Sequence, residues 1–141
     1  MNPQGNAAAM AVDTAEQARE LDRERLYGMI STVLRALGEP LRLRLLGLLR
    51  DHELCVNELA RASGASQANV SKHLAVLRQA GLVDCRRDGH SMYYRVADPG
   101  LFEICGATGR LLERRLGVGE RLARGGRQLW AGGGKGEGVA S

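Results

Sequence analysis

From Leu26 onward, apolar residues recur along the chain at steps of three and four, and Leu26, Met29, Ile30, Val33, Leu34 and Leu37 form one stripe. That is the period of an amphipathic helix. The spacing predicts a helix from Thr14, with Gly38 just past its end. Pro40 stands at the favoured first-turn position of a second helix. Its leucines, Leu41, Leu43, Leu45, Leu46, Leu48 and Leu49, lie nearly all round and predict deep burial. Asp51-His52 interrupts it. A short third helix turns Val56, Leu59 and Ala60 inward and ends before Gly64. Ser66 suits the N-cap of a fourth helix, with Val70, Leu74 and Leu77 on one face and Gly81 beyond its end. Two strand-like runs follow, Leu82 to Arg87 and His90 to Val96. Asp88-Gly89 between them is a strong hairpin signal. Asp98-Pro99 reads as N-cap and first-turn proline of a last helix carrying Leu101, Ile104, Cys105, Thr108, Leu112 and Leu116. The expected architecture is mainly α with a small β-hairpin, in the order α-α-α-α-β-β-α.

The flanks lack this pattern. Residues 1–13 carry Pro3 and Gly5 without periodicity and read as a disordered tail. Residues 14–124 form the expected folded domain, and residues 125–141 a flexible glycine-rich tail. The run Gly132-Gly133-Gly134-Lys135-Gly136 is not a phosphate-binding loop, because Leu129 stands where the first glycine is needed and no Ser or Thr follows Lys135. The 141 residues suit one domain, and a dimer interface would add buried area. No apolar run approaches the length of a membrane span, and nothing at the start resembles a signal peptide. The cytoplasm is therefore the expected location. There the three cysteines, Cys55, Cys85 and Cys105, should be reduced thiols. No nucleophile, base and orienting group gather in one motif, so an enzyme is not expected.

The segment from Val56 to Ala80 carries the function. Two short helices meet at Ala62-Ser63-Gly64-Ala65-Ser66, the pattern of a helix-turn-helix. With Val70, Leu74 and Leu77 inward, Ala68, Ser71, Lys72, Ala75 and Gln79 point away, and Gln67 and Asn69 flank them. Gln and Asn can read adenine, while Ser or Lys can meet phosphate or base edges. A polar face of this kind also serves simply to meet water. The hairpin shifts the balance towards DNA: Arg86, Arg87 and His90 surround its tip, where a wing reaches phosphates or a minor groove. A net charge of +4 and a pI near 9.3 agree with a polyanionic partner. The candidate DNA-binding residues are thus Ser66, Gln67, Asn69, Ser71, Lys72, His73, Arg86, Arg87 and His90. For His73, at the edge of the inner face, a packed role and a phosphate contact both stand.

These residues resemble a known family. The run Ala36-Leu37-Gly38-Glu39-Pro40-Leu41-Arg42-Leu43-Arg44-Leu45-Leu46 looks like its second-helix signature. Glu53-Leu54-Cys55-Val56-Asn57-Glu58-Leu59-Ala60 resembles its third-helix box, and Ser66-Gln67-Ala68-Asn69-Val70-Ser71-Lys72-His73-Leu74 its recognition helix. Ala80-Gly81-Leu82-Val83 and Tyr93-Tyr94-Arg95 match its wing. The family is ArsR/SmtB, bacterial winged helix-turn-helix repressors, and the resemblance spans about residues 30–105. It implies a homodimer through the first and last helices, a palindromic double-stranded DNA operator and an inducer that weakens binding. Gly106 and Gly109 in the last helix could then mark close approach of another helix, or a local kink.

The resemblance also frames what is sensed. Cys55 occupies the first cysteine position of the metalloid-sensing box, but Asn57 and Ala60 stand where further cysteines occur. Asp98 matches the first ligand of the last-helix zinc site, but Gly100, Leu111 and Arg114 replace the rest. Neither site is present as such. Cys55 and Cys105 remain as sensing candidates for a thiophilic ion such as As(III), Sb(III), Hg(II) or Cd(II). Oxidation or persulfidation of the same thiols is the alternative. Either cysteine also reads as a small buried hydrophobe. A winged helix used only for protein contacts, without DNA, is a third reading.

Overall fold

The computed structural model describes residues 3–130. Helix α1 (Pro3–Leu37) leads into α2 (Pro40–Leu48), the short strand β1 (Leu54–Cys55), α3 (Val56–Ser63) and α4 (Gln67–Gln79). The hairpin β2 (Val83–Asp88) and β3 (Ser91–Val96) precedes α5 (Leu101–Leu116) and α6 (Glu120–Trp130). The three strands form one antiparallel sheet in the order β1-β3-β2. Among the described residues no helix is long and apolar enough to cross a membrane.

The core forms where the apolar stripes converge. Leu45 and Leu46 of α2, Leu59 of α3 and Val70, Leu74 and Leu77 of α4 have no exposed surface. Leu101 and Phe102 of α5 and Leu82 and Val83 at the hairpin close this cluster. The caps expected at Ser66 and Gly64 hold as well. Ser66 Oγ accepts from Asn69 N–H at 3.1 Å. Gly64 takes the left-handed conformation (φ 74°) that closes α3, which glycine adopts without strain.

Besides β1, which adds a third strand to the expected hairpin, four features differ from the sequence expectation. First, α1 begins at Pro3, so residues 3–13 are helical rather than a tail. The segment is rich in alanine, the best helix former. Periodicity reports a buried face, and α1 has none there: every residue from 5 to 32 is exposed. Second, α6 occupies residues 120–130 and so enters the expected glycine-rich tail, whose remainder, 131–141, lies outside the described residues. Gly125 and Gly126 weaken this helix, but long-range contacts compensate. Trp130 stacks on Phe102 at 6.0 Å, Arg127 bridges Glu113 and Glu120, and Arg50 donates to the Leu129 carbonyl at 2.7 Å. Gly106 faces α6, where an added Cβ would lie 3.9 Å from Trp130 Cβ, whereas Gly109 has open space. Third, the hairpin loop is Gly89-His90, one residue later than expected, because Asp88 pairs with Ser91. Gly89 takes φ 61° at the first loop position, as tight hairpins require. Fourth, α5 starts at Leu101 after a turn at Pro99-Gly100, with Asp98 Oδ1 accepting from Gly100 N–H at 2.8 Å.

Candidate nucleic-acid interface

Helix α4 is fixed on its inner face by Val70, Leu74 and Leu77, and this leaves Gln67, Ala68, Asn69, Ser71, Lys72, Ala75 and Gln79 exposed. The outer face therefore combines small side chains, amides, a hydroxyl and Lys72, with Arg78 also exposed in the last turn and no carboxylate. Ser66 is exposed, and its oxygen caps the helix while its hydroxyl proton stays available for a ligand. At the turn, Asn57 and Arg61 of α3 share a polar hollow with Ser66 and Gln67. Sequence reasoning missed this pair. Their spacing of four residues on a helix was the available signal, since it places both on one side.

His73 stands apart from that face. Its Nδ1 lies 3.1 Å from Arg42 Nη1 and 3.8 Å from Glu39 Oε2, so the ring is turned to the start of α2.

The wing residues divide in the same way. Arg86 donates to Glu53 Oε2 through Nε and Nη2, both at 2.9 Å, and lies 5.0 Å over the Tyr93 ring. This hydrogen bond holds the Glu53 carboxyl below its ordinary pKa and the Arg86 guanidinium above its own. Arg86 thus fastens the wing to the residue before β1. Its neighbour Arg87 points to the opposite face of the strand. It is exposed and has no ion pair among the described residues. His90 is exposed in the loop.

The three cysteines are free thiols in separate places. Cys55 pairs with Tyr93 and Cys85 with Tyr94, on opposite sides of β3. Paired residues share a face and successive residues alternate, so these two thiols lie on opposite faces of the sheet. Cys55 is half-buried, with its Sγ 3.4 Å from Glu58 Oε1. Cys105 is buried on α5, and burial pushes its thiol pKa up, away from the reactive thiolate. Among the described residues no three His, Cys, Asp or Glu side chains gather as a metal site.

Comparison with known proteins places this geometry. The family model described as "Bacterial regulatory protein, arsR family" matches residues 39–84, from the start of α2 into β2. The chain is similar to the uncharacterized HTH-type transcriptional regulator Rv0081 of Mycobacterium tuberculosis, with 36% identity over 111 residues, covering 75% of this chain and 97% of that protein. It is also similar to the biofilm growth-associated repressor of Xylella fastidiosa, with 31% identity, covering 70% of this chain and 86% of that protein. Among solved structures, the homodimeric winged helix-turn-helix DNA-binding domain Mb0332 of Mycobacterium bovis superposes with a TM-score of 0.61 at 28% identity, covering 70% of this chain and 91% of that one. The helix-turn-helix, its following hairpin and these relatives converge: the chain belongs to the ArsR/SmtB family of winged helix-turn-helix transcriptional regulators, DNA-binding proteins rather than enzymes.

Proposed function

We propose that this protein is a cytoplasmic homodimeric repressor that grips a palindromic operator and releases it in response to a thiol-reactive signal. The observation that carries the DNA reading is the outer face of α4, where Gln67, Asn69, Ser71 and Lys72 are exposed without a carboxylate among them. A surface evolved only for protein contacts has no need of that uncharged and cationic set. Ser66 adds a hydroxyl at the cap, and Arg87 and His90 add phosphate contacts from the wing. Arg86 acts there as the anchor that holds the wing.

Dimerisation has its own support. On α1, Leu26, Tyr27, Met29, Ile30 and Leu34 are exposed, and on α5 so are Ile104, Leu111, Leu112 and Leu116. Exposed apolar area of this extent marks an interaction surface. These α5 residues stay exposed although Gly106 and Glu113 meet α6 and Trp130 borders Ile104 and Leu112.

For the signal, Cys55 is the leading thiol and Cys105 the second. A soft ion such as As(III), Sb(III), Hg(II) or Cd(II) suits thiolate ligands. Since no protomer gathers three donors among its described residues, such a site would be completed by the partner subunit. Oxidation or persulfidation is favoured by a different observation: Cys55 is a single half-buried thiol, and that chemistry needs no ligand cluster. The test is operator release followed by fluorescence anisotropy, with each ion, peroxide and polysulfide added to the reduced protein. We expect release by one soft ion, abolished in Cys55→Ser. Release by oxidants or polysulfide alone supports the redox reading, and release that persists in Cys55→Ser removes Cys55 from sensing.

A further inference from the structure

A single side chain joins three helices beside the DNA-facing surface. Arg42, near the start of α2, donates from Nε to the Ala36 carbonyl at 2.6 Å and from Nη2 to the Arg35 carbonyl at 3.0 Å. Both carbonyls belong to the last turn of α1, where helical partners run out. The backbone N–H of Arg42 donates to Glu39 Oε2 at 3.0 Å. Its remaining arm, Nη1, lies 3.1 Å from Nδ1 of His73 on α4.

The chemistry of this last contact is one-directional. A guanidinium carries only donors, so Nδ1 must accept. In that arrangement the ring carries its proton on Nε2, against the pull of Glu39 Oε2, which lies 3.8 Å from Nδ1. Nε2 has no protein partner among the described residues, yet no buried side-chain nitrogen there is left unpaired. Nε2 therefore keeps some exposure on a side chain that is 14% exposed. One ring nitrogen is held by Arg42, and the other is left without a protein partner among the described residues.

We propose that Arg42 is a positioning residue for operator binding: it locks His73 in the Nε2–H tautomer and leaves that donor free for a backbone phosphate. The inference rests on the reading of α4 as the DNA-facing helix. It makes the α1–α2 junction part of the binding machinery, because the guanidinium that fixes the ring also closes the end of α1.

Two substitutions separate this role from simple helix capping. In His73→Gln the amide nitrogen reaches the place of Nε2 and can donate outward without Arg42. In His73→Asn the amide oxygen takes the place of Nδ1, and the outward donor is lost. A hydrogen bond to a charged group sets the scale, so His73→Asn should lose roughly tenfold or more in operator affinity while His73→Gln stays within about threefold. Arg42→Met should match the loss of His73→Asn in the natural background but cost no more than about threefold on top of His73→Gln. Because a phosphate contact carries no sequence information, scrambled DNA should lose affinity in the same proportion. An equal cost of Arg42→Met in both backgrounds would reduce Arg42 to a cap and overturn the proposal. Nitrogen NMR of the unmodified protein, with His52→Gln and His90→Gln for assignment, reads the tautomer independently of any destabilised variant. A predominant Nδ1–H form, or an even mixture, also overturns it. Lys72→Glu serves as the control. If Lys72→Glu abolishes binding and His73→Asn does not weaken it, this inference alone fails. If neither weakens binding, the DNA-facing reading of α4 falls and takes the inference with it.

Discussion

Lys72→Glu should weaken operator binding on the order of a hundredfold or more, since a charge-assisted contact contributes about 1.5–3 kcal/mol and a dimer carries two copies. Lys72 is exposed on α4 and has no ion pair among the described residues, so its removal leaves nothing unpaired inside the protein. The reversed charge also meets phosphate directly and adds repulsion to the lost contact. Fold and dimer should be unchanged, which thermal unfolding and light-scattering mass would verify. Affinity measured by anisotropy at fixed salt decides the matter, and a change under twofold would exclude α4 from the interface.

Leu74→Ala should destabilise the fold by about 2–5 kcal/mol, the range for truncating a fully buried leucine. Leu74 has no exposed surface and sits with Leu45, Leu46, Leu59, Val70 and Leu77 where α2, α3 and α4 meet. The cavity would lie directly under the recognition helix. Because a domain of this size holds only about 5–15 kcal/mol in all, the loss is a large share of its stability. Denaturant unfolding should show a lower midpoint with an unchanged slope. An effect below about 1 kcal/mol would mean that α4 is not seated on this core as described.

The core of the fold was legible because its signals are local. The 3.6 period of Val70, Leu74 and Leu77, the cap at Ser66 and the glycine at Gly64 each act within a few residues. The order of helices around the hairpin followed from them. What escaped the sequence lacked a period or depended on distant partners. The start of α1 is helical through alanine propensity alone, with no buried face to leave a stripe. Helix α6 is held by Phe102, Glu113 and Arg50, which no local pattern reveals. The wing arginines looked equivalent in sequence, yet Glu53, 33 positions away, takes Arg86 and leaves Arg87 open. His73 was placed at the edge of the inner face, but its partner Arg42 lies 31 positions back. The thiols lacked a local signal too, since Cys55 and Cys85 lie on opposite faces of the sheet and Cys105 is buried on α5.

The most direct test of the account is the salt dependence of binding to the protein's own promoter, set against a scrambled duplex. In the proposed complex Lys72 and Arg87 from each protomer would give about four phosphate contacts, so the log–log slope should be roughly −3.6 or steeper, with tighter binding to the promoter at every salt concentration. A flat salt response with equal affinity for both duplexes would contradict a DNA-gripping function for α4 and the wing.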